Sequence, residues 1–117
     1  MTAPRIKLGA RLSVTEALDT FAPEQGGIEF QTDQAGKVHS WHSHSVTETL
    51  VVLEGTMTLE WAEGSPENIA GRHDVGPGAV ISLPANTIHQ SINHDSVCRY
   101  LILPEGGKAA ETRVFPS

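Results

Sequence analysis

Gly36-Lys37-Val38-His39-Ser40-Trp41-His42-Ser43-His44-Ser45-Val46-Thr47-Glu48-Thr49-Leu50-Val51-Val52-Leu53-Glu54-Gly55 is the stretch from which the rest of this chain is interpreted. In an extended strand successive side chains alternate between faces, so His42 and His44 point the same way. Glu48 has the same parity and stays within reach whether the strand continues or turns at Ser45-Val46-Thr47. Imidazole and carboxylate are ligand types shared by Zn, Fe, Mn, Ni and Cu sites. Three ligands are too few to close a site, and His89 is the best candidate for a fourth. Ordinary polar residues on a wet strand face would give the same letters, so the stretch needs support from elsewhere in the chain.

The chain has 117 residues, about right for one domain that buries a single core without staples. Cys98 is the only cysteine, so no intrachain disulfide can form and nothing points to an oxidising compartment. Met1 to Leu12 lack the continuous apolar run of a signal peptide. No segment approaches the roughly 18 apolar residues needed to span a bilayer. A cytoplasmic protein with no membrane partner is expected. The net charge is −6 and the eight Lys and Arg residues are scattered. That argues against nucleic acid, whose binding rests on many phosphate contacts. Six histidines are many for this length, and His39, His42 and His44 fall within six residues.

Outward from the opening stretch the pattern is all-β. Ile28-Glu29-Phe30-Gln31-Thr32 alternates apolar and polar residues as a half-buried strand does. Val38 to His44 and Leu50 to Leu53 are predicted strands, and Glu54-Gly55 reads as the turn of a hairpin with Thr56 to Trp61. Leu50-Val51-Val52-Leu53 is apolar on both faces, so its outer side needs a cover. The N-terminal residues or the second subunit of a homodimer would supply it, and the homodimer is favoured. Glu63 to Asn68 is a polar loop, Ile69 to Val75 an edge strand, and Gly76-Pro77-Gly78 a turn into a strand over Ala79 to Leu83. Pro84-Ala85-Asn86 turns again, ahead of strands at 87–93 and 97–103.

Residues 1–27 read as an N-terminal arm that covers a sheet edge. Ile6 to Leu8 and Leu12 to Val14 are candidate short strands, and Thr15 to Asp19 one helical turn capped by Thr15. Residues 104–117 read as a loose C-terminal tail, with Val114-Phe115 able to pin its end. The domain proper is 28–103. Eight or more short strands with no long helix predict an antiparallel sandwich or jelly-roll barrel.

A second cluster supports the first. Gly78-x5-Pro84-x-Asn86-x2-His89-x3-Asn93 places a lone histidine early in a strand, where antiparallel pairing across a narrow barrel would complete four converging ligands. Asn93 shares the face of His89 and either hydrogen-bonds a bound substrate or water, or caps a strand end. Together the two blocks resemble the cupin superfamily. Its first motif, Gly-x5-His-x-His-x3–4-Glu-x6-Gly, is matched by Gly36, His42, His44, Glu48 and Gly55. Its second, Gly-x5-Pro-x-Gly-x2-His-x3-Asn, is matched by Gly78, Pro84, His89 and Asn93. Asn86 stands where that motif has glycine, and asparagine is the non-glycine residue most tolerant of left-handed dihedrals, so the turn should survive. The resemblance covers about residues 28–103. It implies a double-stranded β-helix, a six-stranded jelly-roll barrel that is usually dimeric. It also implies one divalent metal, Fe, Mn, Ni, Zn or Cu, held by His42, His44, Glu48 and His89.

Three neutral imidazoles and one carboxylate would leave a divalent ion with a net charge of about +1 and, if six-coordinate, about two open positions. A closed structural zinc would use four ligands, usually with cysteine, and Cys98 lies in neither block. Strand parity sends His39 and Trp41 away from the metal, while His73 and His94 fall in an edge strand and a turn and read as solvated. Cys98 reads as a buried, inert thiol. Tyr100, the only tyrosine, either points into the barrel as a proton donor or orienting hydroxyl, or packs. Gln31 and Gln90 are possible pocket groups, with Gln31 and Asn93 taken as substrate contacts.

The expected function is that of a small metal-dependent enzyme of dioxygenase type. Its substrate would be a small organic molecule, anionic or chelating, with Glu48 as ligand and base and Tyr100 as a second catalytic group. A redox-neutral isomerase, lyase or decarboxylase would use the same residues. A metal-bearing sensor module without turnover is the alternative from a different class.

Overall fold

The computed structural model describes residues 3–116. Period-two alternation dominates them, and it folds into ten strands. In chain order these are β1 (Arg5–Lys7), β2 (Glu29–Asp33), β3 (Val38–His44), β4 (Glu48–Glu54), β5 (Met57–Ala62), β6 (Ile69–Val75), β7 (Val80–Leu83), β8 (Ile88–Asn93), β9 (Cys98–Pro104) and β10 (Thr112–Val114). They pair as two five-stranded antiparallel sheets, in the orders β1-β7-β4-β9-β2 and β10-β3-β8-β5-β6. This is the expected double-stranded β-helix. It has more than six strands partly because each terminal segment contributes one, β1 and β10.

Inward-facing side chains from both sheets meet in one core. Leu50 and Val52 of β4, Ile81 of β7 and Cys98 of β9 come from one sheet; Met57 and Leu59 of β5 and Val75 of β6 come from the other. Full burial of such an aliphatic side chain stabilises by about 2 kcal/mol. A one-residue slip of any strand would turn its set to solvent, so the core holds the register that aims the site residues.

Three expectations are corrected by this topology. Ser13, not Thr15, caps the N-terminal helix. Ser13 Oγ accepts the Glu16 N–H at 3.1 Å and a Glu16 carboxylate oxygen accepts the Ser13 N–H at 2.9 Å. This capping box starts a helix, α1 (Val14–Phe21), longer than one turn, and its Ser-x-x-Glu signature was present in the sequence. Leu12, Ala17, Phe21 and Ala22 pack on Val51, Leu101 and Leu103, the outer face of β4 and β9. Helix α1 is thus the cover that the two-sided apolar run requires, and a second subunit is not needed there. β1 meanwhile pairs with β7 at the sheet edge.

The second correction is that β4 and β5 are not a hairpin, because they lie in opposite sheets. Gly55, at φ 81°, carries the chain across, and a Cβ there would collide with the Val97 carbonyl oxygen. Local alternation reveals the turn but not which strand lies beside which. Third, the C-terminal segment is not loose. After a 3₁₀ turn at Glu105–Gly107, β10 pairs with β3, placing Thr112 opposite His44 and Val114 opposite His42. Phe115 packs against Trp41, Ala62 and Ile88, so Trp41 does sit in an outer layer.

Candidate metal centre

β3 and β8 are hydrogen-bonded neighbours, with His42 directly opposite His89. The turn that delivers β8 passes through Asn86 at φ 67°, the left-handed conformation expected of it, and the Asn86 N–H donates to the His44 carbonyl at 2.7 Å. Three imidazoles therefore converge. Ring centroids are 4.8 Å apart for His42 and His44, 4.2 Å for His42 and His89, and 5.3 Å for His44 and His89. One ring nitrogen from each lies within 4.8 Å of the others.

The hydrogen bonds of these rings decide which nitrogen is free. His42 Nδ1 donates to the Ser40 carbonyl at 2.6 Å, and His89 Nδ1 to the Thr87 carbonyl at 2.8 Å. His44 Nδ1 lies 3.2 Å from the Thr112 hydroxyl of β10. Facing carbonyls, Nδ1 of His42 and of His89 must carry the hydrogen, so each of their Nε2 atoms keeps its lone pair for a ligand, while the Thr112 hydroxyl orients the His44 ring. Thr112 went unnoticed in the sequence, because β10 lies far along the chain from β3 and carries no motif.

Glu48 opens β4 in the opposite sheet, so the centre bridges the two layers. Its Oε1 is 3.5 Å from His44 Nε2, and the residue is buried. Among the described residues, the group whose ligand atoms all lie within 4.8 Å of one another consists of the three histidines, with Glu48 beside His44.

Desolvation governs the charge state of this cluster. Burial, with His42 close by, lowers His44 to about 4. Burial, with His42 and His44 as neighbouring cations in waiting, lowers His89 to about 3. Burial also lowers His42, against the pull of the Ser40 carbonyl. Glu48 moves the other way, up to about 7, through burial and then repulsion from Glu29. The imidazoles are held neutral, as ligands must be, and the carboxyl keeps its proton to near neutrality. The donor set fits a divalent transition metal.

The centre lies in a cavity of about 330 Å³ between the sheets. Leu50, Met57, Leu59, Leu83 and Ile102 supply its apolar wall, and Glu29, Gln31, His39, Ser91 and Tyr100 its polar groups beyond the ligand cluster. Lys and Arg are absent from the lining.

His39 is the principal departure from the sequence reading. Strand parity predicts that it faces away, yet it lines the cavity. The register between β3 and β8 runs His39 opposite Ser91 and His42 opposite His89, three residues on one strand against two on the other. That β-bulge puts His39 back on the inner face. There its Nε2 lies 2.9 Å from Oδ1 of Asp33, a buried residue that the sequence did not single out. Gln31 Nε2 donates to the same oxygen at 2.9 Å and the Tyr100 hydroxyl to Oδ2 at 2.9 Å.

The remaining candidates sort clearly. Tyr100 and Gln31 both line the cavity, with their donors directed to Asp33. Burial and the Asp33 carboxylate push the Tyr100 phenol far up, so it stays protonated. Asn93 lies outside the cavity lining. Its Nδ2 donates to the carbonyls of Asp33, Gln34 and Ser96, which ties the β2–β3 and β8–β9 turns to β8. Gln90 points outward and donates to Glu60 at 2.6 Å. His94 is not simply solvated, since its ring bonds the Thr56 and Thr58 hydroxyls, each at 2.8 Å. Cys98 is fully buried, and burial raises its thiol to about 11.

Comparison with known proteins adds the following. The family described as "Cupin domain" matches residues 29–104. No curated protein matches the sequence. Among solved structures, a dTDP sugar isomerase from Desulfovibrio desulfuricans is similar with a TM-score of 0.67 at 17% identity, over 97% of this chain and 83% of that one. A 3,4-ketoisomerase from Thermoanaerobacterium thermosaccharolyticum, solved in complex with TDP, gives 0.54 at 16% identity, over 66% and 56%. Pumpkin seed globulin gives 0.66 at 12% identity over 74% of this chain, which spans only 22% of the globulin's length. At these identities the likeness is one of fold. Among the described residues, no helix is long and apolar enough to cross a membrane.

Proposed function

The chain belongs to the cupin family, and from that premise we propose that it is a metal-dependent enzyme acting on a small organic molecule. His42, His44, His89 and Glu48 would hold one divalent transition metal. The observation that carries this reading is the convergence of three imidazoles whose Nδ1 atoms are all engaged. A bound ion of that kind supplies a Lewis acid and open positions for substrate oxygens. Glu48, beside His44 and at the cavity wall, is placed to bind the ion or to exchange a proton with substrate.

Dioxygenase-type turnover would use the open positions for O2. The redox-neutral reading is favoured by the half-buried His39, bonded to the buried Asp33 in the same cavity, because such a pair suits moving protons rather than electrons. The dTDP sugar named for one similar structure, and the TDP bound in another, are not carried over. Their diphosphate would meet no Lys or Arg in the lining, and Glu29 stands there as a carboxylate outside the proposed ligand set. A small uncharged chelator fits better. A sensor module would need the same ion without turnover.

Homodimerisation, no longer required to cover β4, rests instead on Ile28 and Phe30, exposed at 38% and 57% on and beside edge strand β2. A monomer in sedimentation would remove it. The functional reading is tested by purification without chelator, elemental analysis and an oxygen-uptake screen. We expect close to one metal per chain, reduced in His44→Ala and in Glu48→Ala. Full occupancy in both variants would sink the ligand assignment. Substrate-dependent O2 consumption would select the oxygenase, and its absence the redox-neutral enzyme or the sensor.

A further inference from the structure

We propose that Asp33 and His39 form a proton-transferring dyad. In it, His39 Nδ1 takes a proton from the carbon next to the carbonyl of a small neutral hydroxycarbonyl substrate. The proposal rests on the metal-dependent reading above and names a base and a substrate class for it.

The argument begins with the tautomer. An ionised carboxylate can only accept hydrogen bonds, so His39 Nε2, 2.9 Å from Asp33 Oδ1, must carry the hydrogen. Nδ1 is left with the lone pair and has no partner among the described residues. This is the opposite tautomer to His42 and His89, whose Nδ1 atoms face carbonyls. His39 is therefore set up as a base, while the other rings are set up as ligands.

Its support is rigid. Asp33 is 3% exposed, and its carboxylate also accepts from Gln31 and Tyr100. A buried acceptor held at both oxygens fixes the ring and provides a counter-charge when Nδ1 takes a proton. Tyr100 spends its hydrogen on Asp33, which makes it a positioning residue. The His39 side chain is 30% exposed and lines the same cavity as the three ligand histidines. The charge of the lining sets the substrate class. Glu29 is the lining carboxylate outside the ligand set and offsets the net charge of about +1 that an ion with its four ligands would carry. No Lys or Arg lines the cavity to hold a phosphate or carboxylate, so a neutral substrate suits it. The roughly 330 Å³ it offers suits a molecule of a few carbons.

The step balances without an oxidant. The C–H bond breaks, its proton joins the Nδ1 lone pair, and its electrons form a C=C bond as charge moves to the carbonyl oxygen at the His42–His44–His89 end. Return of the proton to the former carbonyl carbon, with the substrate's hydroxyl proton passing to the former carbonyl oxygen as the new C=O forms, isomerises the substrate; return of a solvent deuteron to the original carbon gives exchange.

The test uses zinc-loaded full-length protein with hydroxyacetone in D2O, followed by loss of the methylene proton signal. Exchange should exceed the free-zinc background, and His39→Gln should lower it about 100-fold or more with unchanged zinc content. With zinc content and melting temperature unchanged, so that the folded fraction is the same, Asp33→Asn should lower kcat for exchange about tenfold while KM stays within about twofold. Histidine-ring 15N NMR of the metal-free protein should show His39 protonated at Nε2. Protonation at Nδ1, equal exchange in His39→Gln, or no exchange by fully loaded wild type would each overturn the proposal. Failure of zinc to bind would overturn the metal-dependent reading itself, and the dyad with it, so the two failures are distinguishable.

Discussion

Metal affinity should rise about tenfold between pH 6 and pH 8, and Glu48 should carry the rise. Burial and Glu29 push its carboxyl up to about 7, and a carboxyl must lose its proton to act as a ligand. About a tenth of the free protein then has an ionised Glu48 at pH 6 and about nine-tenths at pH 8. The ratio corresponds to roughly ~1.4 kcal/mol of binding free energy. Two of the imidazoles add little in that window, since His44 at about 4 and His89 at about 3 are already neutral at pH 6, and burial lowers His42 in the same direction. Titration calorimetry with zinc, in two buffers of different ionisation enthalpy, measures both affinity and proton release. Release should approach one proton per metal near pH 6 and fall away above pH 8. Glu48→Gln should flatten both curves. An affinity independent of pH in the wild type, or the same slope in Glu48→Gln, would refute the reasoning.

Three further outcomes follow from the geometry. Thr112→Val removes the hydroxyl 3.2 Å from His44 Nδ1 and should weaken metal binding about tenfold, read by chelator competition, with the melting temperature of the metal-free protein unchanged. Gly55→Ala places a Cβ at φ 81° against the Val97 carbonyl and should cost about 2 kcal/mol or more in urea unfolding; a smaller loss would mean that the crossover relaxes. Acid should destabilise the metal-free protein. The folded state holds His89 at about 3 against 6.5 for a free ring, so the unfolded chain binds more protons below 6.5. Stability then falls as pH drops from 6.5 towards 3, by at most ~1.4 kcal/mol per pH unit for this residue, and His89→Asn should show a shallower slope.

Taken by itself, the sequence determined the fold class and pointed to the three histidines that converge. Strand parity is a property of any extended chain, so His42 and His44 could be placed on one face from spacing alone, whereas Glu48 reaches His44 from the opposite sheet. Asn86 could be assigned a left-handed turn from its chemistry, and Trp41 an outer layer from its odd parity. Local patterns also carried the Ser13 cap, as Ser-x-x-Glu ahead of an apolar face, although the reading settled on Thr15.

What needed the tertiary structure is whatever depends on neighbours in space. The bulge in β3 exists only in relation to β8, and it alone returns His39 to the cavity where Asp33 waits on β2. The partition of β4 and β5 between sheets rests on a glycine crossing beside Val97, far along the chain. Thr112 reaches His44 because the C-terminal segment pairs with β3, and helix α1 takes the face of β4 that a second subunit had been expected to cover. Alternation tells each strand which side is in. Only the closed barrel decides which residues, brought from eight different strands, share the space inside it.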